Sequence, residues 1–176
     1  MAGKKHRSYL DDFQRDVNGE YQYRGAHYRY AGMMEYRTLR RSLWICCGLG
    51  SALVLAAGCL PGATAGAAWY VTLPTMLALA ACGFLLWTLA RWTKGGMTLR
   101  AYVHAQTVKR LPAEALLAAG MSAFGPVGQG ISLLLGNPAN WAKIGHFAAL
   151  AVATGFFIRT YALVKRTVYD FIDATK

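Results

Sequence analysis

The histidines and cysteines are the side chains of this sequence whose chemistry could support catalysis or metal binding. Each type occurs four times, at His6, His27, His104 and His146, and at Cys46, Cys47, Cys59 and Cys82. Neither set has the spacing of a metal site, a C-x-x-C redox pair or an H-E-x-x-H motif. We therefore expect a protein that is not an enzyme, with no catalytic residues, no metal and no cofactor. The cysteines are expected to be small buried apolar side chains, with the adjacent Cys46 and Cys47 as the one redox candidate.

Two segments of the sequence could hold a phosphate group. The stretch GPVGQG, residues 125–130, has the glycines of a phosphate loop, but it lies in an apolar block and no Lys-Ser or Lys-Thr follows it. His104, Lys109 and Arg110 form a basic segment that could attract phosphate without specificity. The net charge is +11, and the basic residues cluster beside the apolar blocks. This distribution predicts contact with anionic lipid headgroups and argues against nucleic acid as the partner.

A tyrosine-rich stretch, EYQYRGAHYRY, precedes the first long uncharged block. The Gly-Ala pair at its centre fits a two-residue type II′ turn, which predicts a β-hairpin over about residues 20–31. Tyr23 would then pair with Tyr28, and Tyr21 with Tyr30. All four tyrosines would share one face, because side chains alternate along a strand. A two-stranded hairpin is marginally stable alone, so this tyrosine face requires a partner.

Three surfaces could cover the tyrosine face. One is the membrane interface, which suits the ring and hydroxyl of tyrosine; the others are the basic connector at residues 91–112 and another protein. A flexible, unpaired arm is the alternative. We take Tyr21, Tyr23, Tyr28 and Tyr30 as candidate docking residues. Residues 33–41 are predicted to form a helix that leads into the first apolar block, so that residues 1–41 make an N-terminal arm.

Two long stretches of the sequence carry no Asp, Glu, Lys or Arg: 49 residues from 42 to 90, and 28 residues from 115 to 142. Uncharged runs of about 18 residues or more are typical of membrane spans. The breakers of PGATAG, residues 61–66, divide the first run into two spans. We predict an all-α integral membrane protein with a four-helix bundle over residues 42–164. Its four transmembrane spans are placed at about residues 43–60, 69–90, 115–135 and 144–164.

The basic residues orient these spans. Residues 1–41 hold nine Lys and Arg, the 91–112 connector holds five and residues 159–176 hold four, whereas the opposite turns hold Lys143 alone. The positive-inside rule then predicts an N-in/C-in topology, with the connector and the 165–176 tail in the cytoplasm. Within the connector we expect a helix over residues 98–111 that ends at Pro112. Alternatively, spans three and four form a hairpin that enters and leaves the membrane without crossing it.

The arm contains about 40 polar residues before the first span, unlike a cleaved signal peptide, so we expect that span to be an uncleaved insertion signal. Small residues recur at four-residue spacing in three spans, which predicts a tight bundle or self-association. These residues are Gly48, Ala52 and Ala56 in span one, Ala78 and Cys82 in span two, and Ala151 and Gly155 in span four.

The third span contains five residues that weaken a helix or are polar: Gly125, Pro126, Gly128, Gln129 and Gly130. Proline removes a backbone hydrogen bond and glycine lowers helix propensity. Such a segment either lines a transport path, as broken helices do in transporters, or forms a kink whose glycines pack against neighbouring helices. The packing interpretation is favoured, because Gln129 is the one polar side chain expected deep in that span.

These features predict a small multi-pass protein of the cell membrane, of the kind found in bacterial cytoplasmic membranes. Its expected function is that of a non-catalytic subunit or scaffold that docks another protein, or a second copy of itself, on the cytoplasmic face. The alternative function is a small oligomeric transporter or channel with the third span lining the path. The sequence predicts neither a substrate nor the identity of a partner.

Overall fold

The computed structural model describes residues 13–15, 19–23, 25–61, 69–136 and 138–172, with only the backbone at 13–15, 22 and 23. Most of the predicted turn at 61–66, and the ends of the chain before 13 and after 172, lie outside these residues. The helices are α1 (Tyr36–Cys59), α2 (Trp69–Gly95), the short α3 (Ala101–Gln106), α4 (Leu111–Leu134) and α5 (Trp141–Lys165). Within the described chain, α1, α2, α4 and α5 are long and apolar enough to cross a membrane.

Local sequence signals account for where several helices begin. Pro112 lies in the first turn of α4, where its missing N–H would have no intrahelical partner. Asn140 precedes α5, and its side-chain oxygen accepts a 2.8 Å hydrogen bond from the backbone N–H of Lys143, as an N-cap does. Gly136 has a φ of 83°, which lets the chain turn between α4 and α5. Of the helix predicted over 33–41, residues 36–41 are helical and continuous with span one in α1, whereas residues 33–35 precede the helix.

The four long helices form a ring in the order α1, α2, α4 and α5, and α5 packs back against α1. On each helix the buried residues recur every three or four positions, so that one stripe faces the centre. The largest side chains in this core include Leu43, Leu85, Trp92, Leu150 and Phe157. Large apolar side chains on the opposite stripes are exposed, which is the expected arrangement for helices surrounded by lipid.

Helix α4 is unbroken through Pro126 and the surrounding glycines. Gly125 and Gly128 are buried on the inner stripe. The Leu150 side chain from α5 occupies the space where a Gly125 side chain would be, and a Cβ built on Gly128 would lie 2.7 Å from the backbone oxygen of Tyr70 in α2. The glycines therefore let α4 approach both neighbours closely, as the packing interpretation expects.

The small-residue stripes of α1 and α5 face away from the bundle. Ala52, Ala56 and Ala151 are exposed, and a Cβ added at Gly48 or Gly155 would meet nothing within 4 Å. The contacts of α1 inside the bundle come from a different stripe that carries its buried Leu, Val and Cys residues. These two small-residue stripes thus make no contribution to packing among the four helices. In contrast, Ala78 and Cys82 of α2 are buried in the core.

The predicted tyrosine hairpin is wrong in its strand pairing. Strand β2 (Tyr21–Tyr23) pairs with β1 (Phe13–Arg15), and β3 (His27–Tyr30) does not pair with β2. Instead, β3 is the centre of a three-stranded antiparallel sheet between β4 (Thr98–Arg100) and β5 (Tyr169–Ile172). The physical reason is that an isolated hairpin is marginal, whereas this sheet adds a third strand and packs its tyrosines on the helix ends. We call β3, β4, β5 and α3 the cap.

The helix predicted over residues 98–111 forms only over α3, because β4 occupies residues 98–100 and a turn occupies residues 107–110. It does not end at Pro112, which instead lies in the first turn of α4. The Gly95–Gly96 pair ends α2, and Gly96 has a φ of 73°, a conformation that favours glycine. The chain reverses there, and Leu99 packs against Gly95 and is almost fully buried. This reversal brings residues 98–100 alongside β3, and they pair with it as a strand instead of forming a helix.

Candidate functional site

The cap has an inner aromatic face that lies on the helix ends. Tyr28 is paired with Leu99 of β4 and with Phe171 of β5. Tyr30 is paired with Tyr169. Since side chains alternate along strands, these five residues share one face. The tyrosines of β3 are thus covered by the connector and by other parts of the same chain.

An aromatic cluster joins the sheet to the helices. The Tyr30 ring is in edge contact with Tyr36 of α1 and with Tyr169, at centroid distances of 5.7 Å in both cases. Tyr36 in turn contacts Trp92 of α2 at 5.3 Å. The indole N–H of Trp92 donates a 2.6 Å hydrogen bond to the Tyr169 hydroxyl. Burial raises the pKa of Tyr169 well above its ordinary value, and the Trp92 hydrogen bond opposes that shift.

A second contact joins β3 to the connector helix. The Tyr28 ring stacks on the imidazole of His104 in α3, with a centroid distance of 4.2 Å and an interplanar angle of 9°. The Tyr169 ring is in edge contact with the same imidazole at a centroid distance of 5.2 Å. Burial lowers the pKa of His104, and the positive charge of Lys109 lowers it further. The imidazole is therefore held in its neutral form at physiological pH, as a stacking partner rather than a charge.

The outer face of the sheet is largely polar and alternates with the aromatic positions. It carries His27, Arg29, Thr98, Arg100 and Asp170, together with the apolar Ile172, which is paired with His27. Arg29 lies between Thr98 and Asp170 in the sheet register. This mixture of basic, acidic and hydroxyl side chains presents a surface suited to water or to a polar partner.

The four candidate docking tyrosines lie in different environments. Tyr28 and Tyr30 contact the same chain, as described above, whereas Tyr21 is 72% exposed. The side chain of Tyr23 lies outside the described residues. The shared face predicted for all four is not formed, because Tyr21 and Tyr23 belong to the β1–β2 pair. A role in docking stays a prediction for these residues.

An apolar groove of about 580 Å³ lies beside the cap, between the segment that precedes α1 and the end of α5. Its walls include Met33, Met34, Leu39, Leu163 and Val168, with Arg166 at the rim. Met33 is fully exposed, and Met34 and Val168 are also exposed. Methionine side chains are flexible and adapt to different apolar surfaces. This groove is an exposed apolar feature at the edge of the cap, where Tyr30 of β3 also lines it.

A chain of polar side chains is buried inside the bundle. The Thr75 hydroxyl of α2 donates to the backbone oxygen of Val71 at 2.9 Å and lies 3.2 Å from Nε2 of His146 in α5. Nδ1 of His146 lies 3.4 Å from the side-chain nitrogen of Gln129 in α4. The consistent assignment puts the imidazole proton on Nε2, donating to Thr75, while Nδ1 accepts from Gln129. Gln129 is therefore joined to a histidine and a threonine.

The sequence places His146 near the outer end of the last span but gives no sign that it meets Gln129. That contact depends on how α4 and α5 pack, and the available signal was limited to one histidine in the apolar run that follows Lys143 in α5. Gln129 also lines a cavity of about 190 Å³ with Leu133, Lys143 and Phe147. The described chain thus has an aromatic cap at one end of the bundle and a polar cluster towards the opposite end.

The cysteines lie in the bundle, and Cys46, Cys47 and Cys82 are buried whereas Cys59 is exposed. The Cys47 sulfur lies 3.6 Å from the Thr160 hydroxyl oxygen, so that it contributes a weak polar contact between α1 and α5. Among the described residues, no three His, Cys, Asp or Glu side chains are placed to hold a metal ion.

Comparisons of the chain with protein families, with curated proteins and with solved structures found no match.

Proposed function

We propose that this chain is a non-catalytic, multi-pass subunit of a bacterial cytoplasmic membrane that docks a protein partner at its cytoplasmic cap. The observation that carries the proposal is the cap itself, a folded sheet built from three distant segments at one end of the bundle. The apolar groove opens directly beside it. A bundle that needed only to anchor itself in lipid would not require either feature.

The sheet supports placement of both ends of the bundle's chain on one side of the membrane, and the basic residues assign that side to the cytoplasm. Hydrogen bonding of β3 to β4 and β5 requires all three strands to lie on one side of the membrane. Two helices separate β3 from β4 and two long helices separate β4 from β5, so each pair crosses and returns. With 24 residues, α4 is about 36 Å long, compared with about 30 Å for the hydrocarbon core. This length favours full crossing over a shallow hairpin.

The groove is suited to an amphipathic segment of a partner protein. Its apolar walls would take the partner's apolar side, and the two exposed methionines can adjust to its shape. Arg166 lines the rim, and Arg37, Arg40 and Arg41 are exposed on the nearby first turns of α1. We therefore expect the polar side of the partner segment to be acidic, since complementary charge steers association and fixes orientation.

Site-specific crosslinking in intact cells tests this docking. A photoreactive amino acid at Met33 is expected to capture one protein as an adduct of discrete mass. The matched control is Met97, which is also an exposed methionine but belongs to the turn on the β4 side of the cap. Adducts of the same proteins at both positions, or adducts with lipid alone, would contradict the docking proposal.

Affinity purification in mild detergent provides the corresponding loss of function. Met33→Asp should release the captured protein, because binding would bury a carboxylate against the apolar side of the partner segment. Met97→Asp should retain it. Tyr21→Ser tests the exposed tyrosine in the same assay, whereas Tyr28 and Tyr30 are unsuitable because their contacts hold the cap together. Retention of the protein by Met33→Asp would remove the groove from the proposal.

A transporter or channel is the second candidate function, and the buried Thr75–His146–Gln129 cluster favours it. Polar and ionisable side chains inside a bundle often mark ion or proton pathways. A conduit predicts proton flux into vesicles that contain the purified protein, and Gln129→Leu should abolish it. Pro126→Ala should also reduce that flux. A scaffold predicts no flux in the wild type, and both variants should still form the Met33 crosslink.

A further inference from the structure

A basic cleft of about 540 Å³ lies at the end of α2 on the cap side. Three cationic side chains, Arg91, Lys94 and Arg100, line it, and Tyr102 and Thr98 add hydroxyl groups. None of its lining residues is acidic. Three positive charges in one concave surface create a potential that attracts an anion. The cleft is separate from the methionine groove, whose lining residues belong to other segments.

The fold builds this cleft by reversing the chain at the end of α2. Arg91 and Lys94 are on the last turns of α2, and Arg100 is the last residue of β4. Buried Leu99 packs on Gly95 and anchors β4 against the helix. The positions of the basic residues are therefore set by a helix and a strand rather than by a loose connector, which favours binding of a specific group.

A hydrogen bond fixes the orientation of Arg91. Its Nη2 donates to the side-chain oxygen of Gln106 at 2.7 Å. Gln106 is the last residue of α3, so the bond links the ends of α2 and α3. A guanidinium group has five N–H donors in a rigid plane, and holding it by one edge reduces the conformational entropy that a bound anion would have to remove.

The cleft continues an exposed apolar stripe of α2. Phe84, Trp87, Arg91 and Lys94 follow each other at three- and four-residue spacing and are all exposed. They therefore lie on one face of the helix. Along this face the chain changes from large apolar rings to cationic groups within two turns. This arrangement is complementary to an amphiphile, whose apolar chain would lie on the rings and whose negative headgroup would lie on the cationic groups.

We propose that this cleft binds the phosphate headgroup of an anionic phospholipid, with an acyl chain lying along Phe84 and Trp87. The continuity of the stripe with the cleft selects a lipid over a soluble phosphate compound, because a soluble ligand would make no use of the exposed rings. Arg91, Lys94 and Arg100 contact the headgroup. The inference relies on the proposed membrane embedding but is independent of partner docking at the methionine groove.

Titration of the delipidated, detergent-purified protein with phosphatidylglycerol, followed by native mass spectrometry, tests this site. Replacement of both Arg91→Gln and Lys94→Gln should weaken the binding of phosphatidylglycerol about thirtyfold, since each basic group near an anionic headgroup contributes about fivefold. The matched control is Arg37→Gln with Arg41→Gln, which removes two exposed charges from α1 and should leave binding unchanged. Lys94→Gln alone, expected to weaken binding about fivefold, serves if the double variant does not fold.

The comparison ligands decide between the remaining outcomes. Phosphatidylcholine should bind the wild type as weakly as phosphatidylglycerol binds the double variant. Equal binding of the two lipids to the wild type would overturn a site for anionic headgroups. Displacement of phosphatidylglycerol by inorganic phosphate at similar concentrations would overturn the assignment to a lipid. The assay contains no partner protein, so its failure would leave the crosslinking result at Met33 unaffected.

Discussion

Replacing Gly128 by alanine tests whether the glycines of α4 exist for helix packing. Pro74 of α2 has no N–H to donate to the carbonyl of Tyr70, four residues earlier. Gly128 places the backbone of α4 against that same carbonyl. A Cβ at position 128 would lie 2.7 Å from the Tyr70 oxygen, whereas ordinary contact begins at 3.4 Å. The difference requires α2 and α4 to separate by about 0.7 Å at this point.

The obstacle at this position is helix backbone, which cannot rotate away as a side chain could. Overpacking of this kind costs about 1–3 kcal/mol. The gain in helix propensity from glycine to alanine offsets about 1 kcal/mol of it. Gly130, two residues further along α4, has nothing within 4 Å of a built Cβ. Gly130→Ala should therefore stabilise by about 1 kcal/mol with no packing penalty.

The two variants should differ in the free energy of unfolding by about 1–3 kcal/mol, with Gly128→Ala the less stable. Equilibrium unfolding in mixed micelles, with increasing denaturing detergent and tryptophan fluorescence as the signal, measures this difference. If Gly128→Ala and Gly130→Ala changed the free energy of unfolding equally, or if Gly128→Ala were stabilising, the close approach of α2 and α4 would be refuted. The glycines would then need the explanation offered by a path through the bundle.

Three further predictions concern the cap and the topology. Tyr169→Phe should leave the N–H of Trp92 buried without its acceptor, which costs about 1–3 kcal/mol. Amide exchange in β3 should then become about 5- to 150-fold faster. Tyr36→Phe should change this exchange rate little, since the hydroxyl of Tyr36 has no hydrogen-bond partner among the described residues. The pKa of His104 is lowered in the folded state, so the cap should keep its full stability above pH about 6.5. It should lose stability as the pH falls through that lowered pKa, because protonation then favours the unfolded state. Faster amide exchange in β3 at low pH would measure this loss. A cysteine replacing Asn140, with Cys59→Ser, should react with an impermeant maleimide added outside cells; lack of reaction would favour the shallow hairpin.

The four helices could be predicted from the sequence because lipid imposes a local requirement. A span needs about 20 consecutive apolar residues, and a window of that length reports it without knowledge of the rest of the chain. The glycines of the third span could likewise be singled out from the sequence, because their weakening of a helix is a local property, although the sequence left a transport path and a packing surface both open. In both cases the determining information lies in neighbouring residues.

The cap could not be predicted in the same way because its pairing is non-local. The partners of Tyr28 are Leu99 and Phe171, which belong to segments beyond two and four long helices. Strands of three or four residues carry almost no alternation signal of their own. The Gly-Ala pair at 25–26 suggested a local hairpin, and only the position of the helix ends makes the longer-range sheet preferable. The His146–Gln129 contact escaped prediction for the same reason.

The order of the strands along the chain makes closure of the sheet depend on all four long helices. Along the chain, β3 precedes all four long helices, β4 lies between α2 and α4, and β5 follows α5. The three strands therefore leave the ribosome at widely separated times. In the proposed topology, a single helix that failed to cross the membrane would separate one strand from the other two, so that the sheet could not close. We therefore expect closure of the sheet to depend on insertion of all four long helices, because a misinserted chain would keep an unpaired strand edge.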